Sequence, residues 1–107
     1  MIYELRIYEV MPGRMNDLQK RQAEITHKYF QKHGIQEVGY WTAIIGTSNE
    51  LIYMLSFPDL AAREKAWAAF GADQERQKLF AETERNGPLV ARIRSSILQP
   101  TYYSPMK

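Results

Sequence analysis

The chain is short and nearly neutral, with 107 residues, of which 45% are hydrophobic, and a formal net charge of +2. This length and apolar content predict one compact domain, residues 1–107, and exclude a second domain with its own core. Basic and acidic residues are interspersed instead of forming blocks. This pattern argues against nucleic acid and against an anionic membrane as partners.

The chain has no cysteine. That absence excludes disulfides, thiolate zinc sites and cysteine nucleophiles, and it is compatible with a reducing cytoplasm. No apolar run reaches the roughly 20 residues that a membrane span needs, and Met1 leads directly into a strand pattern without a signal or transit peptide. We therefore expect a cytoplasmic protein with no membrane partner.

The first predicted element is a strand, "IYELRIYEV". At period two, one row of its side chains is apolar: Tyr3, Leu5 and Ile7. The opposite row carries charge and an aromatic hydroxyl: Ile2, Glu4, Arg6, Tyr8 and Val10. Two interpretations stay open for this second row, which is either the solvated face of a half-buried strand or the wall of an enclosed cavity.

A helix is predicted next. Pro12 and Gly13 break the strand, Asn16 and Asp17 suit a helix start, and a stop at Gly34 places the helix end near residue 32. Its apolar stripe recurs at helical spacing: Met15, Leu18, Ile25 and Tyr29, widened by Ala23 and Phe30.

Two β-branched and aromatic runs follow and predict a hairpin. They are separated by the turn residues Gly46, Thr47, Ser48 and Asn49. The first strand has one row of Val38, Tyr40, Thr42 and Ile44 and another of Trp41, Ala43 and Ile45. The second has rows of Leu51, Tyr53, Leu55 and Phe57 and of Ile52 and Met54. Both faces of this hairpin are therefore apolar.

Two more helical pieces and a last strand complete the chain. Pro58 and Asp59 start a helix that Gly71 interrupts and that carries Leu60, Trp67 and Phe70 on or near one face. Asp73 caps the next piece, with Leu79 and Phe80, which stops at Gly87 and Pro88. The last strand is predicted near residues 91–99. The order strand, helix, strand, strand, helix, strand predicts an α+β, ferredoxin-like split βαβ fold with a four-stranded antiparallel sheet.

Helices in such a fold cover one face of the sheet, so the other face of a monomer should be polar. The two-sided apolar hairpin contradicts this expectation, because soluble monomers rarely leave large contiguous apolar patches exposed. A second copy of the same face is the most economical cover, since isologous dimers are the commonest oligomers.

Three segments resemble the NIPSNAP family of the dimeric α+β barrel superfamily: "YELRIYEVMPGRM", "NELIYMLSFPDLAAREKAW" and "SSILQPTYYSPM". The likeness covers nearly the whole chain. It is most specific at Tyr3 to Arg6 with Pro12 and Gly13, at Asn49 with Pro58, Asp59, Leu60 and Arg63, and at Pro100, Thr101 and Ser104. The chain departs from similar sequences where they often carry a histidine in place of Tyr53, a tryptophan in place of Leu55, and Asp-Pro-x-Trp in place of residues 73–76.

This resemblance implies a homodimer whose two sheets close into a barrel, with helices outside and the helix-free faces lining the interior. It does not imply one reaction. Superfamily relatives include cofactor-independent monooxygenases, haem-degrading and haem-binding enzymes and lactone isomerases, whereas animal NIPSNAP proteins are associated with mitochondria and protein interactions. Fold likeness alone does not choose among these.

In the split βαβ order the first and last strands are neighbours, so Glu4 and Arg6 are expected to share a face with Arg92, Arg94 and Ser96. Arginines beside aromatic side chains are typical of small-ligand pockets. The predicted ligand contacts are Arg6, Tyr8, Tyr40, Trp41, Tyr53 and Arg94. The alternative is a structural ion pair of Glu4 with Arg6 or Arg94, buried in the dimer interface.

Metal and haem sites have weaker support. His27 and His33 lie on one helix about 120° apart at 100° per residue, so they share no ligand face. Either could singly ligate haem, but lone helical histidines are more often surface residues. No Ser-His-acid triad has a supporting pattern. We expect no metal and no cofactor.

Two functions stay open. The first is a homodimer that binds or transforms a small, partly apolar molecule in a sheet-lined cavity. If it is catalytic, Glu4 or Tyr53 is the acid-base candidate and Arg6 or Arg94 the electrostatic stabiliser. The second is a non-catalytic protein-interaction module whose barrel interior is filled by side chains.

Overall fold

A computed structural model describes residues 1–107. Its strands are β1 (Ile2–Val10), β2 (Gln36–Trp41), β3 (Glu50–Phe57) and β4 (Val90–Leu98). They form one antiparallel sheet in the order β2-β3-β1-β4. This order confirms the ferredoxin-like α+β fold and the pairing of the first and last strands.

The first helical region runs without a break from residue 15 to residue 32. It comprises α1 (Met15–Arg21), a π-helical turn (Gln22–Thr26) and α2 (His27–Lys32). The predicted helix is therefore confirmed, but its π turn was not predicted. A π turn inserts an extra residue into the helix and often marks a functional site.

The other helices are α3 (Leu60–Ala72) and α4 (Gln74–Thr83). Their caps are as predicted, because the Asp59 carboxylate accepts the amide of Ala62 at 2.8 Å and that of Asp73 accepts the amide of Arg76 at 3.1 Å. None of the helices is long and apolar enough to cross a bilayer. The predicted ends shift, since α3 continues through Gly71 and α4 ends four residues before Gly87.

The hairpin is shorter than predicted. Strand β2 ends at Trp41, which pairs with Ile52, and residues 42–49 form an exposed connection. Ile44 and Ile45, expected inside the strand, are almost fully exposed. A bulge between Glu37 and Gly39 shifts the pairing of β2 on β3, and no residue after Trp41 pairs with β3.

The helices pack on one face of the sheet, and the buried core lies between them. Its members are Tyr8, Val10, Leu18, Tyr29, Phe30, Ile35, Leu51, Tyr53, Leu55, Phe57, Phe70 and Leu89. Of the predicted α3 stripe, Phe70 is buried and Trp67 packs against this core. Leu60, in contrast, is exposed, because it occupies the first helical residue, beyond the packed part of α3.

The charged row of β1 faces these helices. Glu4 is fully buried and Tyr8 nearly so, whereas Tyr3, Leu5 and Ile7 lie on the helix-free face. The row is therefore not a solvated face, and it does not lie on the helix-free side of the sheet, where the barrel interior was expected. The cause is α3, because its Arg63 and Trp67 side chains donate hydrogen bonds to the buried Glu4 carboxylate on the face that the helices cover.

Candidate functional site

The Glu4 carboxylate is the centre of a buried polar network. Its Oε1 atom accepts hydrogen bonds from Arg63 Nε at 2.8 Å and Trp67 Nε1 at 2.9 Å. Its Oε2 atom accepts from Arg6 Nη1 at 2.9 Å and Ser95 Oγ at 2.8 Å. Burial alone would raise the pKa of Glu4, but these hydrogen bonds outweigh it and lower the pKa to about 2. Glu4 is therefore an anion with both oxygens occupied.

Trp67 joins this network to the aromatic core. Its ring meets Phe30 edge-on at 5.7 Å and Phe70 at 5.4 Å, while its indole N–H donates to Glu4. We predict that Trp67→Phe lowers the free energy of unfolding by about 1.5 to 3 kcal/mol, the usual contribution of a hydrogen bond to a charged group. Urea denaturation measures it, and an unchanged value would show that the indole N–H contributes nothing.

Arg6 connects Glu4 to a pair of tyrosines. Arg6 Nε donates to the Tyr53 hydroxyl at 2.7 Å, and the hydroxyls of Tyr8 and Tyr53 lie 2.7 Å apart. Burial raises the pKa of Tyr53 well above its ordinary value. Tyr53 is thus a neutral phenol whose hydroxyl already has two partners.

The predicted cluster of Glu4 and Arg6 with the arginines of the last strand is wrong. Arg94 pairs with Ile7, so it lies on the helix-free face, where it donates to Glu50 at 2.6 Å. Because the side-chain period of a strand is two, a difference of one residue in register sends Arg6 and Arg94 to opposite faces. Trp41 also lies on the helix-free face, since it is paired with Ile52.

A cavity of about 390 Å³ opens between the helical region of residues 15–32 and the strands β2 and β3. Its lining residues are Gln19, Gln22, Ala23, His27, Glu37, Tyr40 and Leu51. Of the predicted ligand contacts, only Tyr40 lines this cavity. The Tyr40 ring stacks on the Tyr53 ring at a centroid distance of 5.0 Å, so Tyr53 contacts a residue that lines the cavity without itself lining it. A separate cavity of about 440 Å³ is lined in part by Tyr8 and Arg92.

Gln22 lines this cavity and carries an unpaired polar atom. Its side chain is 94% buried, and its Oε1 atom accepts from Thr26 Oγ1 at 2.7 Å. Its Nε2 atom is buried and has no hydrogen-bond partner. An unpaired buried donor costs about 1 to 3 kcal/mol, so such groups are rare in folded proteins.

His27 and Glu37 form a second polar feature of the cavity. His27 Nδ1 lies 2.7 Å from Glu37 Oε1, and the other carboxylate oxygen accepts a hydrogen bond from the Tyr40 hydroxyl. Burial and this bond raise the pKa of Tyr40. The second histidine, His33, is paired instead with Asp73 at 2.7 Å and does not line the cavity.

The prediction missed Gln22, His27 and Glu37 as cavity residues. One signal was present in the sequence: Gln22 interrupts the apolar row of Leu18, Ile25 and Tyr29 at a position where the spacing calls for a core residue. Nothing in the sequence placed Glu37 beside His27, because that contact depends on how β2 docks against the helix.

The comparisons with known proteins identify the family of this fold. The NIPSNAP family model matches residues 3–105. The chain belongs to the NIPSNAP family. A NIPSNAP family protein from Agrobacterium tumefaciens superposes with a TM-score of 0.88 at 25% identity, over 99% of this chain and 98% of that one. A second protein of that bacterium, described as a NIPSNAP family protein with unknown function, gives 0.86 at 27% identity, over 100% and 94%.

Two further comparisons give the limits of the likeness. A putative antibiotic biosynthesis monooxygenase from Nitrosomonas europaea superposes with a TM-score of 0.65 at 11% identity, over 95% of this chain and 100% of that one, which shows the fold alone. NipSnap homolog 1 of Danio rerio is 29% identical over 99% of this NIPSNAP chain, but the chain spans only 36% of that protein's length.

Proposed function

We propose that this NIPSNAP protein is a homodimer that binds a small, partly apolar molecule in the cavity between the helical region of residues 15–32 and the strands β2 and β3. The buried, unpaired Nε2 atom of Gln22 carries the proposal. A donor held without a partner in the folded protein gains its hydrogen bond when a ligand supplies an acceptor.

The composition of the cavity supports the same conclusion. Ligand sites are mostly apolar with a few placed polar groups. Here Leu51, Ala23 and Tyr40 contribute apolar surface, while Gln19, Gln22, His27 and Glu37 are the polar residues of the lining. A volume of about 390 Å³ lies within the usual range of such sites.

This proposal changes the roles expected for the polar residues of β1. Glu4 accepts hydrogen bonds from four residues, which occupy both of its carboxylate oxygens, and Arg6 bonds both Glu4 and Tyr53. We assign them to holding Tyr53, on which the cavity residue Tyr40 stacks.

The dimer in this proposal uses the helix-free face of the sheet. That face carries contiguous apolar side chains on all four strands: Tyr3, Leu5, Ile7, Trp41, Ile52, Met54 and Leu98. Trp41 is half exposed. Arg92 and Arg94 lie beside Glu9 and Glu50 on the same face, so two copies can match charges around an apolar centre.

We predict that light scattering returns about twice the 12.5 kDa chain mass at micromolar concentration. Met54→Lys should give the monomer mass, because it places a charge in the centre of the apolar face. Leu60→Lys is the matched control, since Leu60 is an exposed apolar residue on α3. A parent protein of monomer mass would contradict the dimer.

The ligand is tested through Gln22→Met. Methionine keeps the length of the side chain but removes both the unpaired donor and the acceptor of the Thr26 hydroxyl, so the free energy of unfolding should fall by no more than about 1 to 3 kcal/mol. Binding of small apolar ketones, measured by ligand-observed NMR, should weaken at least about tenfold, as expected for one hydrogen bond of about 1.4 kcal/mol. Gln74→Met, an exposed change on α4, is the control.

Two outcomes separate this proposal from the interaction module. If no small apolar ketone binds the parent, the cavity is not a ligand site and the side-chain-filled module is the better account. If ketones bind the parent and Gln22→Met equally well, Gln22 is not the recognition group.

A further inference from the structure

We infer that two exposed apolar segments at opposite ends of the sheet bind each other across the dimer. The first is the β2–β3 loop, residues 42–49, and the second is the C-terminal tail, residues 99–107. The occupant of each segment is the other segment of a second copy of this chain. This inference rests on the dimer of the proposed function and deepens it, because it names the surfaces that meet and the direction of the two-fold axis.

The β2–β3 loop exposes two neighbouring isoleucines. Ile44 is fully exposed and Ile45 is 94% exposed in the single chain. Single exposed apolar residues are ordinary, but two adjacent bulky ones with almost no contact to their own chain mark a surface that a partner covers. The loop follows directly on Trp41, which is half exposed on the helix-free face. The loop therefore extends the apolar helix-free face at this end of the sheet.

The tail carries the second pair of exposed bulky residues. Tyr102 is 93% exposed and Tyr103 is 73% exposed, and their rings meet edge to face at 5.2 Å. The tail is closed on itself, because Lys107 Nζ donates to the carbonyl of Thr101 at 2.9 Å. Tyrosine is typical of protein interfaces, since its ring is apolar and its hydroxyl is polar.

The tail lies on the face that the dimer uses. A cavity of about 150 Å³ is lined by residues of the tail and by Tyr3 and Met54. Tyr3 and Met54 both belong to the helix-free face, because Met54 pairs with Leu5 of the same row. In a dimer that joins two helix-free faces, the tail consequently stands between the two sheets.

The two segments lie at opposite ends of the sheet. The loop ends at Asn49, whose carbonyl accepts the amide of Val10, the last residue of β1. The tail begins after Leu98, which pairs with Tyr3 near the start of β1. Tyr3 and Val10 are seven residues apart, about 23 Å at 3.3 Å per residue. One chain therefore does not cover its own loop with its own tail.

The symmetry of a dimer brings the two segments together. Two aligned sheets face each other with the two-fold axis either parallel or perpendicular to the strands. A parallel axis sets the loop end over the loop end. A perpendicular axis reverses the ends and sets each loop over the partner's tail. Both segments border β3, since the loop ends next to Glu50 and the tail reaches Met54, so they meet above the same strand.

The size of the sheet supports this arrangement. Strands of up to nine residues and four strands across give the helix-free face a footprint of about 30 by 19 Å, or about 570 Å². A stable interface buries about 800 Å² on each partner. Two tyrosine side chains bury about 300 Å² or more, so the tail and the loop supply the area that the sheet alone lacks.

The test is a disulfide between two different chains, because the protein has no cysteine of its own. Ile45→Cys and Tyr102→Cys are prepared as separate single variants, mixed under reducing conditions to exchange subunits, and then oxidised. Each chain then carries one cysteine, so every disulfide joins two chains. We expect peptide mass spectrometry to find positions 45 and 102 linked, since a disulfide needs Cα atoms within about 7 Å.

A matched pair controls for chance collisions. Ala68→Cys, at an exposed position on α3, replaces Tyr102→Cys in a second mixture with Ile45→Cys. Linkage of positions 45 and 102 should be at least about tenfold more abundant than linkage of positions 45 and 68. Ile45→Cys alone should form little covalent dimer, because the perpendicular axis keeps the two loops at opposite ends.

A second readout is the dissociation constant of the dimer, measured by sedimentation velocity. Ile45→Ser should raise it at least about 100-fold, because two-fold symmetry removes two buried isoleucine contacts with one substitution. Leu60→Ser, at an exposed apolar residue of α3, is the control and should leave the dissociation constant at the parent value.

The outcomes separate this inference from the proposed dimer. A parent of twice the chain mass whose positions 45 and 102 link no better than positions 45 and 68 overturns the loop-to-tail contact and leaves the dimer standing. So does an Ile45→Ser variant that dimerises like Leu60→Ser, or an Ile45→Cys variant that links to itself faster than to Tyr102→Cys. A parent of monomer mass contradicts both.

Discussion

Replacing Glu4 with glutamine should lower the free energy of unfolding by about 3 to 5 kcal/mol, the usual cost of removing one partner from a buried ion pair. Glu4 is fully buried, and its carboxylate is the anion for both Arg6 and Arg63. Glutamine has only one acceptor oxygen, and its NH₂ group would face donor groups to which it cannot form hydrogen bonds. Urea denaturation of parent and variant measures the difference.

Glu64→Gln is the matched control for this change. Glu64 bonds the same Arg63 at 2.9 Å, but its side chain is exposed, so its loss should change stability by less than about 1 kcal/mol. A Glu4→Gln variant no less stable than Glu64→Gln would show that the buried network does not hold the sheet to α3.

The same carboxylate should give the protein an acid-sensitive stability. The pKa of Glu4 is lowered from 4.5 to about 2 in the folded protein. A lowered folded pKa contributes stability that is fully present above pH 4.5 and is lost as the pH falls toward 2. The difference between parent and Glu4→Gln should therefore shrink across this range. A constant difference would mean that Glu4 does not titrate in this way.

Truncating Phe30 to alanine should cost about 3 to 5 kcal/mol, because a fully buried aromatic ring leaves a cavity that its neighbours cannot close. Phe30 is 1% exposed, and its ring lies against those of Tyr53, Trp67 and Phe70 at 5.1 to 6.2 Å. Thermal denaturation and urea denaturation should both show this loss of stability. Tyr102→Ala, at an exposed position, is the control, and equal stability of the two variants would contradict this core.

Local rules of sequence were enough for the type and order of the elements, but not for the π turn or for the end of β2 at Trp41. The caps at Asp59 and Asp73 follow from side-chain acceptors that bond nearby amides, and both are present. The alternation of apolar residues located the strands, and their order predicted that β1 lies beside β4. These features depend on neighbours in the chain or on connectivity.

The site could not be derived in the same way. Period two separates Glu4 from Leu5 but does not say which row the helices cover, and the deciding partner, Arg63, is 59 residues away. The pairing of His27 with Glu37 depends on the docking of β2, and the register that parts Arg6 from Arg94 depends on a pairing that sequence alone leaves open. The one local clue was Gln22, a polar residue at a core position.

The most direct test of the ligand site is to fill it. Ala23 lines the cavity and is exposed, so Ala23→Trp occupies the space without displacing a buried side chain. Ala69→Trp, at an exposed position on α3, is the matched control. We expect isothermal titration calorimetry to show 1-tetralone binding to the parent and to Ala69→Trp, and none to Ala23→Trp. Equal binding by Ala23→Trp and the parent would contradict a ligand site in this cavity.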